Sequence, residues 1–340
     1  MIVLIFLIFA LILYISFFPI KVRRIEDIIL ITLGIILIFV AGLRADDVTN
    51  DYNVYLKFWQ QRNLKGDVEF SFVWIKDFLK NYLHLPPQYL FLTFAALGVS
   101  SKFIAIRKLA AYPFLALLVY LSHYYILHEL TQIRIGVASG FFLLAIYFKI
   151  KNNIKLTILF LCLSVVFHYS AAVGFIILFL NDKKRVFYLM LIPIGYLLYF
   201  LNNQLSITIP IPYIQEKMEI YDEMKKYGVG DEINVFNFVF LSRILILYFL
   251  FYKAKVIAEF IPHIYVFLKI YTISIFSFLL LSGNAVYSFR IQEFFGIIEI
   301  VLIPTIVFAY KKKIMGKLLV IGIAFSFILI DIYYNEFIFK

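Results

Sequence analysis

Long apolar blocks separated by short charged clusters run through almost the whole of this 340-residue sequence. Hydrophobic residues make up 64% of the chain and charged residues only 16%, whereas a soluble domain carries roughly 25% charged residues. A membrane-spanning helix needs about 20 mostly apolar residues, and the blocks are close to this length. The pattern therefore predicts an all-α polytopic integral membrane protein and argues against a soluble domain.

Positive charge is unevenly placed along the chain and predicts the orientation of each segment. Lys and Arg concentrate in short clusters at 21–27, 102–108, 149–155, 182–185, 253–255 and 311–317. Because cytoplasmic loops are enriched in basic residues, we expect these clusters inside and both chain termini outside. The first apolar block has no basic residue before it and is predicted to be a retained span. The net charge of +11 then reports orientation, and no nucleic-acid partner is expected.

The apolar stretch around 156–181 is too short for two full crossings, yet predicted cytoplasmic lysines, Lys155 and Lys183, flank it. Two crossings would need about 40 residues. We therefore expect a broken pair of short, tilted segments that meet at the tripeptide HYS (168–170). Broken backbone is tolerated at membrane depth only where protein or water surrounds it. His168 is accordingly expected in a pocket that opens to the outer side.

The other apolar blocks are predicted to be single spans, which gives about 11–12 segments in a single transmembrane domain over residues 1–340. The predicted segments are 2–20, 28–43, 89–101, 112–127, 132–148, the pair 156–167 and 170–181, 186–201, 236–252, 262–282, 290–310 and 318–334. Two outer loops, 44–88 and 201–236, are long enough to carry a site. Apolar residues recur at helical spacing in both loops, so interfacial helices on the bilayer surface are predicted there.

Three arginines lie where apolar segments meet the predicted outer side: Arg44, Arg134 and Arg290. A single arginine at such a boundary is typically an interfacial anchor. Three on the side where His168 is expected favour a shared anionic ligand, because guanidinium stays charged and binds phosphate oxygens through two hydrogen bonds. Asp51 and Glu69 are carboxylates on the same predicted side. Polar groups beside apolar helices commonly mark a functional site.

The motifs of several well-known enzyme classes are absent from the sequence. The chain has no P-loop and no GxGxxG, GxSxG or HExxH motif, and its five histidines show no metal-ligand spacing. These motifs mark nucleotide, nucleophile and zinc sites. Neither a metal site nor a cofactor is therefore predicted.

Several short motifs occur in an order that resembles a known protein family. They are GLRADDVTNDYNVY around Arg44, Glu69 in the following helix, TQIRIGVASGFFLLAIYF at 131–148, HYS at 168–170 and SFRIQEFF at 288–295. Together they resemble the EpsG-like, Wzy-type polysaccharide polymerases of bacterial inner membranes, over roughly residues 40–310. The first motif of that family has an Arg-x-Asp-Tyr core. Here the longer spacing leaves Asp46 and Asp51 as alternatives for its acid.

The resemblance implies a GT-C-like membrane glycosyltransferase, an O-antigen polymerase that acts on the periplasmic face without a metal or other cofactor. Its donor and acceptor would be glycans on undecaprenyl pyrophosphate, in lipopolysaccharide or exopolysaccharide biosynthesis. For the reaction itself we expect direct displacement at the anomeric carbon, with inversion of its configuration. A Wzz-type chain-length regulator is a candidate partner.

The sequence offers residues for each role in this reaction. The base candidates are His168, Glu69 and Asp51, and we favour His168 because histidine ordinarily titrates near neutral pH. The candidates for binding pyrophosphate are Arg134, Arg290 and Arg44. The candidates for binding sugar are Tyr52, Tyr55, Tyr169 and Gln132.

Two alternative functions would use similar features. A lipid-linked oligosaccharide flippase also needs a cationic cavity, but here the polar residues cluster on the predicted outer side. An O-antigen ligase performs the same chemistry on lipid A core and would be expected to have a basic outer loop, whereas loop 201–236 is more acidic than basic. A membrane acetyltransferase is disfavoured because the inner loops are short.

Overall fold

The structure is a computed structural model that describes residues 1–18, 20, 22–61, 64, 68–184, 186–202 and 233–338. Over these residues each regular element is an α-, 3₁₀- or π-helix, so the predicted all-α fold is confirmed. The interfacial helix that we predict in loop 201–236 falls on residues 203–232, which lie outside the described residues.

The α-helices are numbered in the order of the chain. The first are α1 Ile2–Phe17, α2 Arg23–Gly42, α3 Asn50–Gln60, α4 Phe70–Asp77, α5 Gln88–Leu109, α6 Pro113–Val119, α7 Ile133–Ile150, α8 Ile154–Phe167 and α9 Leu191–Asn202. After residue 233 come α10 Phe238–Ala258, α11 Ile264–Leu280, α12 Ala285–Gly296, α13 Glu299–Leu302 and α14 Lys313–Leu329. π-Helical turns extend α4 to Tyr82, α6 to Thr131 and α14 to Tyr334, and 3₁₀-helices cover Tyr169–Phe179, Val186–Met190 and Ile303–Ala309.

Many of these helices are apolar enough for a bilayer. Within the described residues, five stretches are long and apolar enough to cross a membrane, namely Arg23–Gly42, Gln88–Leu109, Ile133–Ile150, Ala285–Ala309 and Lys313–Tyr334. Shorter apolar helices such as Ile2–Phe17 and Ile264–Leu280 accompany them. The apolar helices follow the predicted segments block by block. The chain is therefore a multi-pass membrane protein.

The chain forms two compact units. The first unit contains Met1–Leu178 and Glu299–Lys340, and the second contains Phe179–Ile298. In the first unit α7 packs against α5 and α8, and α2 packs against α5. That the whole chain acts as a single transmembrane domain remains a prediction.

The stretch around 156–181 is broken at the predicted tripeptide. α8 ends just before His168, which adopts an extended conformation, and a 3₁₀-helix begins at Tyr169. At the base of the pair, Lys149 Nζ donates a hydrogen bond to the Leu178 carbonyl oxygen at 2.8 Å. Since Lys149 precedes the first arm and Leu178 lies near the end of the second, His168 lies at the opposite end of the pair from this lysine.

The first unit buries a complete ion pair among its helices. Lys102, on α5, has a fully buried side chain, and its Nζ lies 2.7 Å from Glu129 Oε1. The same ammonium donates to the Gly136 carbonyl oxygen, and the Tyr120 hydroxyl donates to Glu129 at 3.1 Å. In the sequence Lys102 belongs to the basic cluster 102–108, which we expect inside. The structure instead places it in the core, where pairing and hydrogen bonds make a buried charge tolerable.

In the second unit, side chains bind backbone groups across neighbouring segments. Lys269, on α11, donates to the Asn181 carbonyl oxygen at 2.6 Å. Ser274 Oγ, on the same helix, donates to the Gln292 carbonyl oxygen of α12 at 2.6 Å. The second of these bonds joins α12, which carries Arg290, to α11 within the same unit.

Breaking the buried ion pair is expected to destabilise the protein. Lys102→Met should lower the free energy of unfolding by about 3–5 kcal/mol, because Glu129 would stay buried without its counter-ion. Thermal unfolding of the purified protein in detergent measures this loss, with Lys155→Met at an exposed position as the control. The double variant Lys102→Met, Glu129→Met should recover most of the loss. A double variant that is no more stable than Lys102→Met alone would contradict the pairing.

Candidate functional site

Two hydrogen bonds join the beginning of α4 to the end of α8 and the residues that follow it. Ser71 Oγ donates a hydrogen bond to the Val166 carbonyl oxygen at 2.6 Å, and the Phe70 N–H donates to the Tyr169 hydroxyl at 3.2 Å. Glu69 precedes α4 as its N-cap residue, with an extended backbone. The two hydrogen bonds therefore hold Glu69 next to the tip of the broken pair.

The Glu69 carboxylate bridges a guanidinium and an imidazole. Its Oε2 accepts a hydrogen bond from Arg134 Nη1, and its Oε1 lies 2.6 Å from His168 Nδ1. Arg134 lies in the first turn of α7, and His168 directly follows α8. The Glu69 side chain is 5% exposed, whereas those of His168 and Arg134 are 12% and 20% exposed. The cluster therefore has a buried acid and more accessible basic members.

Burial and ion pairing act in opposite directions on the pKa of the Glu69 carboxyl group. Burial alone would raise this pKa, but the hydrogen bond from His168 and the charge of Arg134 outweigh burial and lower the pKa from 4.5 to about 2. Glu69 is therefore ionised at neutral pH and accepts hydrogen bonds through both oxygens. A carboxylate with such a low pKa is a weak base, but it can orient an imidazole.

Arg44 is almost completely buried against aromatic rings. Its guanidinium carbon lies 4.5 Å from the centroid of the Phe91 ring and 5.5 Å from that of Tyr52. Nη1 donates to the Ala41 carbonyl oxygen at 2.6 Å, while Nε and Nη2 are buried and have no hydrogen-bond partner among the described residues. Burial lowers the pKa of Arg44 from 12.5 to about 10. An anionic ligand is well suited to satisfy such buried donors.

Tyr55 interacts with both Arg44 and Arg134. It is buried and interacts electrostatically with both guanidinium groups. Tyr52 stacks on Phe91 with ring centroids 4.2 Å apart, and both tyrosines belong to one aromatic core with residues of α4 and α5. The structure therefore brings two of the predicted arginines and two of the predicted tyrosines into one region of the first unit.

The other predicted site residues take several positions. Asp51, in the first turn of α3, interacts electrostatically with Arg44. Tyr169 is 44% exposed at the tip of the broken pair, and Gln132 precedes α7 as its N-cap residue. Arg290 lies on α12 and belongs to the second unit. Within the described part of the chain, no group of three or more His, Cys, Asp or Glu side chains is placed to hold a metal ion.

The ion pair of Lys102 and Glu129, which could not be recognised in the sequence, holds the start of the helix that carries Arg134. Lys102 donates to the carbonyl oxygen of Gly136, in the first turn of α7. The Glu129 carboxylate fills the space beside Gly98, where an added Cβ would overlap it. The available signal was a lysine and a glutamate at the edges of apolar blocks, a position in which ionisable residues usually have a partner.

The low pKa of Glu69 predicts a loss of stability in acid. Because the folded-state pKa of about 2 lies below the usual 4.5, ionised Glu69 stabilises the fold above about pH 4.5, and this contribution is lost as the pH falls toward 2. The difference corresponds to about 3 kcal/mol. Thermal unfolding in detergent should show a smaller loss over this pH range for Glu69→Gln than for the unaltered protein. The same pH dependence for both proteins would argue against the ion cluster.

Comparison with known proteins places the chain in a family. The model of the EpsG family, a family of Wzy-type polysaccharide polymerase-like proteins, matches residues 27–339. No curated protein and no solved structure matches the chain significantly. The family match spans almost the whole sequence, including every residue of the candidate site, and it confirms the resemblance predicted from the motifs. The chain belongs to the EpsG family.

Proposed function

We propose that this protein polymerises oligosaccharide repeat units linked to undecaprenyl pyrophosphate, in O-antigen or exopolysaccharide biosynthesis. Membership of the EpsG family indicates a polysaccharide polymerase-type role. The observation that carries the more specific proposal is the cluster of Arg134, Glu69 and His168. It combines an oriented imidazole, which can take a proton, with a guanidinium, which can bind a phosphate.

His168 is the base in this proposal. Glu69 binds its Nδ1 at 2.6 Å, so the proton of the acceptor hydroxyl passes to the other ring nitrogen, Nε2. In serine hydrolases a carboxylate likewise orients the catalytic histidine and stabilises the imidazolium that forms. The pKa of about 2 disfavours Glu69 itself as the base. Asp51, which interacts with Arg44, is the remaining alternative.

The proposed reaction is a direct displacement at the anomeric carbon of the donor sugar. The oxygen of the acceptor hydroxyl forms the new glycosidic bond to this carbon. The bond from the carbon to the pyrophosphate oxygen breaks, and its electron pair leaves with undecaprenyl pyrophosphate. Attack from the face opposite the leaving group inverts the configuration. The family resemblance implies that neither a metal nor a cofactor is needed.

Buried guanidinium groups are suited to the departing pyrophosphate. Arg44 Nε and Nη2, and Arg134 Nε, are buried and have no hydrogen-bond partner among the described residues. Phosphate oxygens that accept hydrogen bonds from these groups would satisfy them. The same bonds would stabilise the charge that develops as the leaving group departs. Arg290 is proposed as a third cation on the basis of the sequence motif alone.

Tyrosine and amide side chains are proposed to bind the sugars. Tyr169 is the most exposed of the candidates and offers both a ring face and a hydroxyl group. Gln132 offers an amide at the start of α7. Tyr52 and Tyr55 are only 3% and 5% exposed, so we propose that they act mainly by positioning the neighbouring arginines.

The broken pair supports a site on the periplasmic face. Its tip carries His168, and its base carries the hydrogen bond from Lys149 to Leu178. Because basic clusters are usually cytoplasmic, a base at the cytoplasmic side directs the tip outward. We therefore propose a protein of the bacterial inner membrane whose site faces the periplasm. There, lipid-linked glycans and a Wzz-type chain-length regulator would be its partners.

Incubation of the purified protein with a single lipid-linked repeat unit tests the proposed function. A ladder of products that differ by one repeat unit is expected on a gel. A lipid-linked oligosaccharide flippase would move the substrate across a vesicle membrane without changing its length. An O-antigen ligase would form no product until lipid A core was added as the acceptor. Substrate that stays unchanged in detergent solution would therefore contradict a polymerase.

Variants of the ion cluster test the assigned roles in the same assay. His168→Gln should slow ladder formation by about 10²- to 10⁴-fold, the usual contribution of a general base. Glu69→Gln should also slow it, because a neutral amide does not stabilise an imidazolium. Lys155→Gln is the exposed control, and thermal unfolding of each variant separates lost chemistry from lost folding. A folded His168→Gln protein with full activity would move the base role to Asp51.

Cysteine labelling tests the proposed orientation. Cys162→Ser removes the only cysteine of the sequence. In this background, Tyr169→Cys places a thiol at the tip of the broken pair, and Lys151→Cys places one after α7, near the base. A membrane-impermeant maleimide added to intact spheroplasts should label the first variant. It should label the second only after the membrane has been opened. The reverse pattern would overturn the periplasmic assignment.

A further inference from the structure

An exposed ridge runs along α5 in the first unit. Ser100, Ile104 and Lys108 are exposed and follow one another at intervals of four residues, so they lie on one face of the helix. A groove lies on each side of this ridge, and the same three residues line both grooves. The two grooves therefore form one surface that is divided by the ridge.

The first groove lies between α2 and α5 and has a volume of about 530 Å³. Apolar side chains such as Ile31, Ile35 and Phe103 line most of it. Gly34 keeps the two helices close, because a Cβ at this position would lie 3.3 Å from the Phe103 ring. The charged lining residues lie at the start of α2 and the end of α5, and they are Asp27, Arg107 and Lys108.

The second groove lies between α5, α7 and α8 and has a volume of about 540 Å³. Its lining is apolar and aromatic, with Phe141, Leu144 and Phe160 among its residues. Its cationic lining residue is again Lys108, whose Nζ lies 5.7 Å from the centroid of the Tyr147 ring. Both grooves therefore end at the same lysine.

The shared end of the grooves offers donors to an anion. Arg107 Nε lies 2.5 Å from Asp27, and its Nη1 lies 3.0 Å from Glu26. Arg107 Nη2 is nevertheless buried without a hydrogen-bond partner in the described part of the chain. No carboxylate of the described residues lies within ion-pair distance of Lys108. An anion bound here would meet Lys108 and the remaining donor of Arg107.

The grooves have the length of one bilayer leaflet. From Ala96, which lines the second groove, to Lys108, α5 rises about 18 Å. One leaflet contributes roughly half of a hydrocarbon core about 30 Å thick. A charged end that includes Lys108, followed by apolar walls over this distance, fits a lipid whose headgroup lies at Lys108 and whose chains run along α5.

We propose that this surface binds one anionic diacyl glycerophospholipid, with one acyl chain in each groove and the phosphate at Lys108 and Arg107. Two grooves that share Lys108 at one end match two chains that share one headgroup. A polyprenyl phosphate has a single chain and would fill only one groove. Arg107 already meets Asp27 and Glu26, whereas Lys108 has no ion-pair partner among the described residues, and an anionic headgroup would supply one. This site is independent of the proposed polymerase reaction.

Native mass spectrometry of the delipidated protein in mild detergent tests the proposal. The protein is titrated separately with phosphatidylglycerol, phosphatidylcholine and undecaprenyl phosphate. We expect one phosphatidylglycerol to be retained in preference to the other two lipids. Lys108→Gln should weaken its retention about fivefold, because one basic contact at the membrane surface is lost. Lys155→Gln removes an exposed lysine that lines neither groove and should leave retention unchanged.

A second variant tests the grooves themselves. Ser100→Trp puts an indole on the exposed ridge, where it would obstruct both grooves without entering the core. Loss of the bound lipid at an unchanged unfolding temperature is expected. Equal retention of phosphatidylcholine would overturn the proposal, and so would a preference for undecaprenyl phosphate. Full retention of phosphatidylglycerol by Lys108→Gln would do the same.

Discussion

A carboxylate can be taken out of water only where cations or hydrogen-bond donors meet it, and the candidate site depends on how Glu69 fulfils this condition. Its two oxygens bind Arg134 at the start of α7 and His168 at the end of α8. Ser71 fastens the start of α4 to the same place. One acidic side chain thereby joins three chain segments. It also gives the imidazole a fixed orientation, which an accessible histidine alone would not have.

The pair of Lys102 and Glu129 also keeps a carboxylate out of water, but here both partners are buried. Its side chains are 0% and 1% exposed, and the missing side chain of Gly98 provides the space for the carboxylate. No ligand can approach such a pair without separating the helices. The cluster around Glu69 instead keeps its basic members partly accessible. These two ion clusters of the first unit therefore differ in role, since the first serves packing and the second is suited to a ligand.

The helices and the break at residues 168–170 could be predicted from the sequence, because block length and charge are local properties. The ion pairs could not. Glu69 and Arg134 are 65 positions apart, and only the packing of α4 against α8 brings the carboxylate to the arginine. Lys102 was misplaced for a related reason, since a count of charges does not show whether a lysine at the edge of a span has a partner inside the bundle. Only three-dimensional packing decides this.

The arms of the broken pair are shorter than a membrane is thick. The 14 residues of α8 rise about 21 Å and the 11 residues of the 3₁₀-helix about 22 Å, against a hydrocarbon core of roughly 30 Å. If the base of the pair lies at one membrane surface, arms of this length put His168 about 8 Å short of the other surface. Water would then have to reach His168 below the membrane surface, or the bilayer would have to thin around the tip. A free sugar would gain nothing by descending so far, whereas a sugar on a lipid tail is already anchored at the bilayer, so a tip at this depth would suit the tethered substrates that we propose.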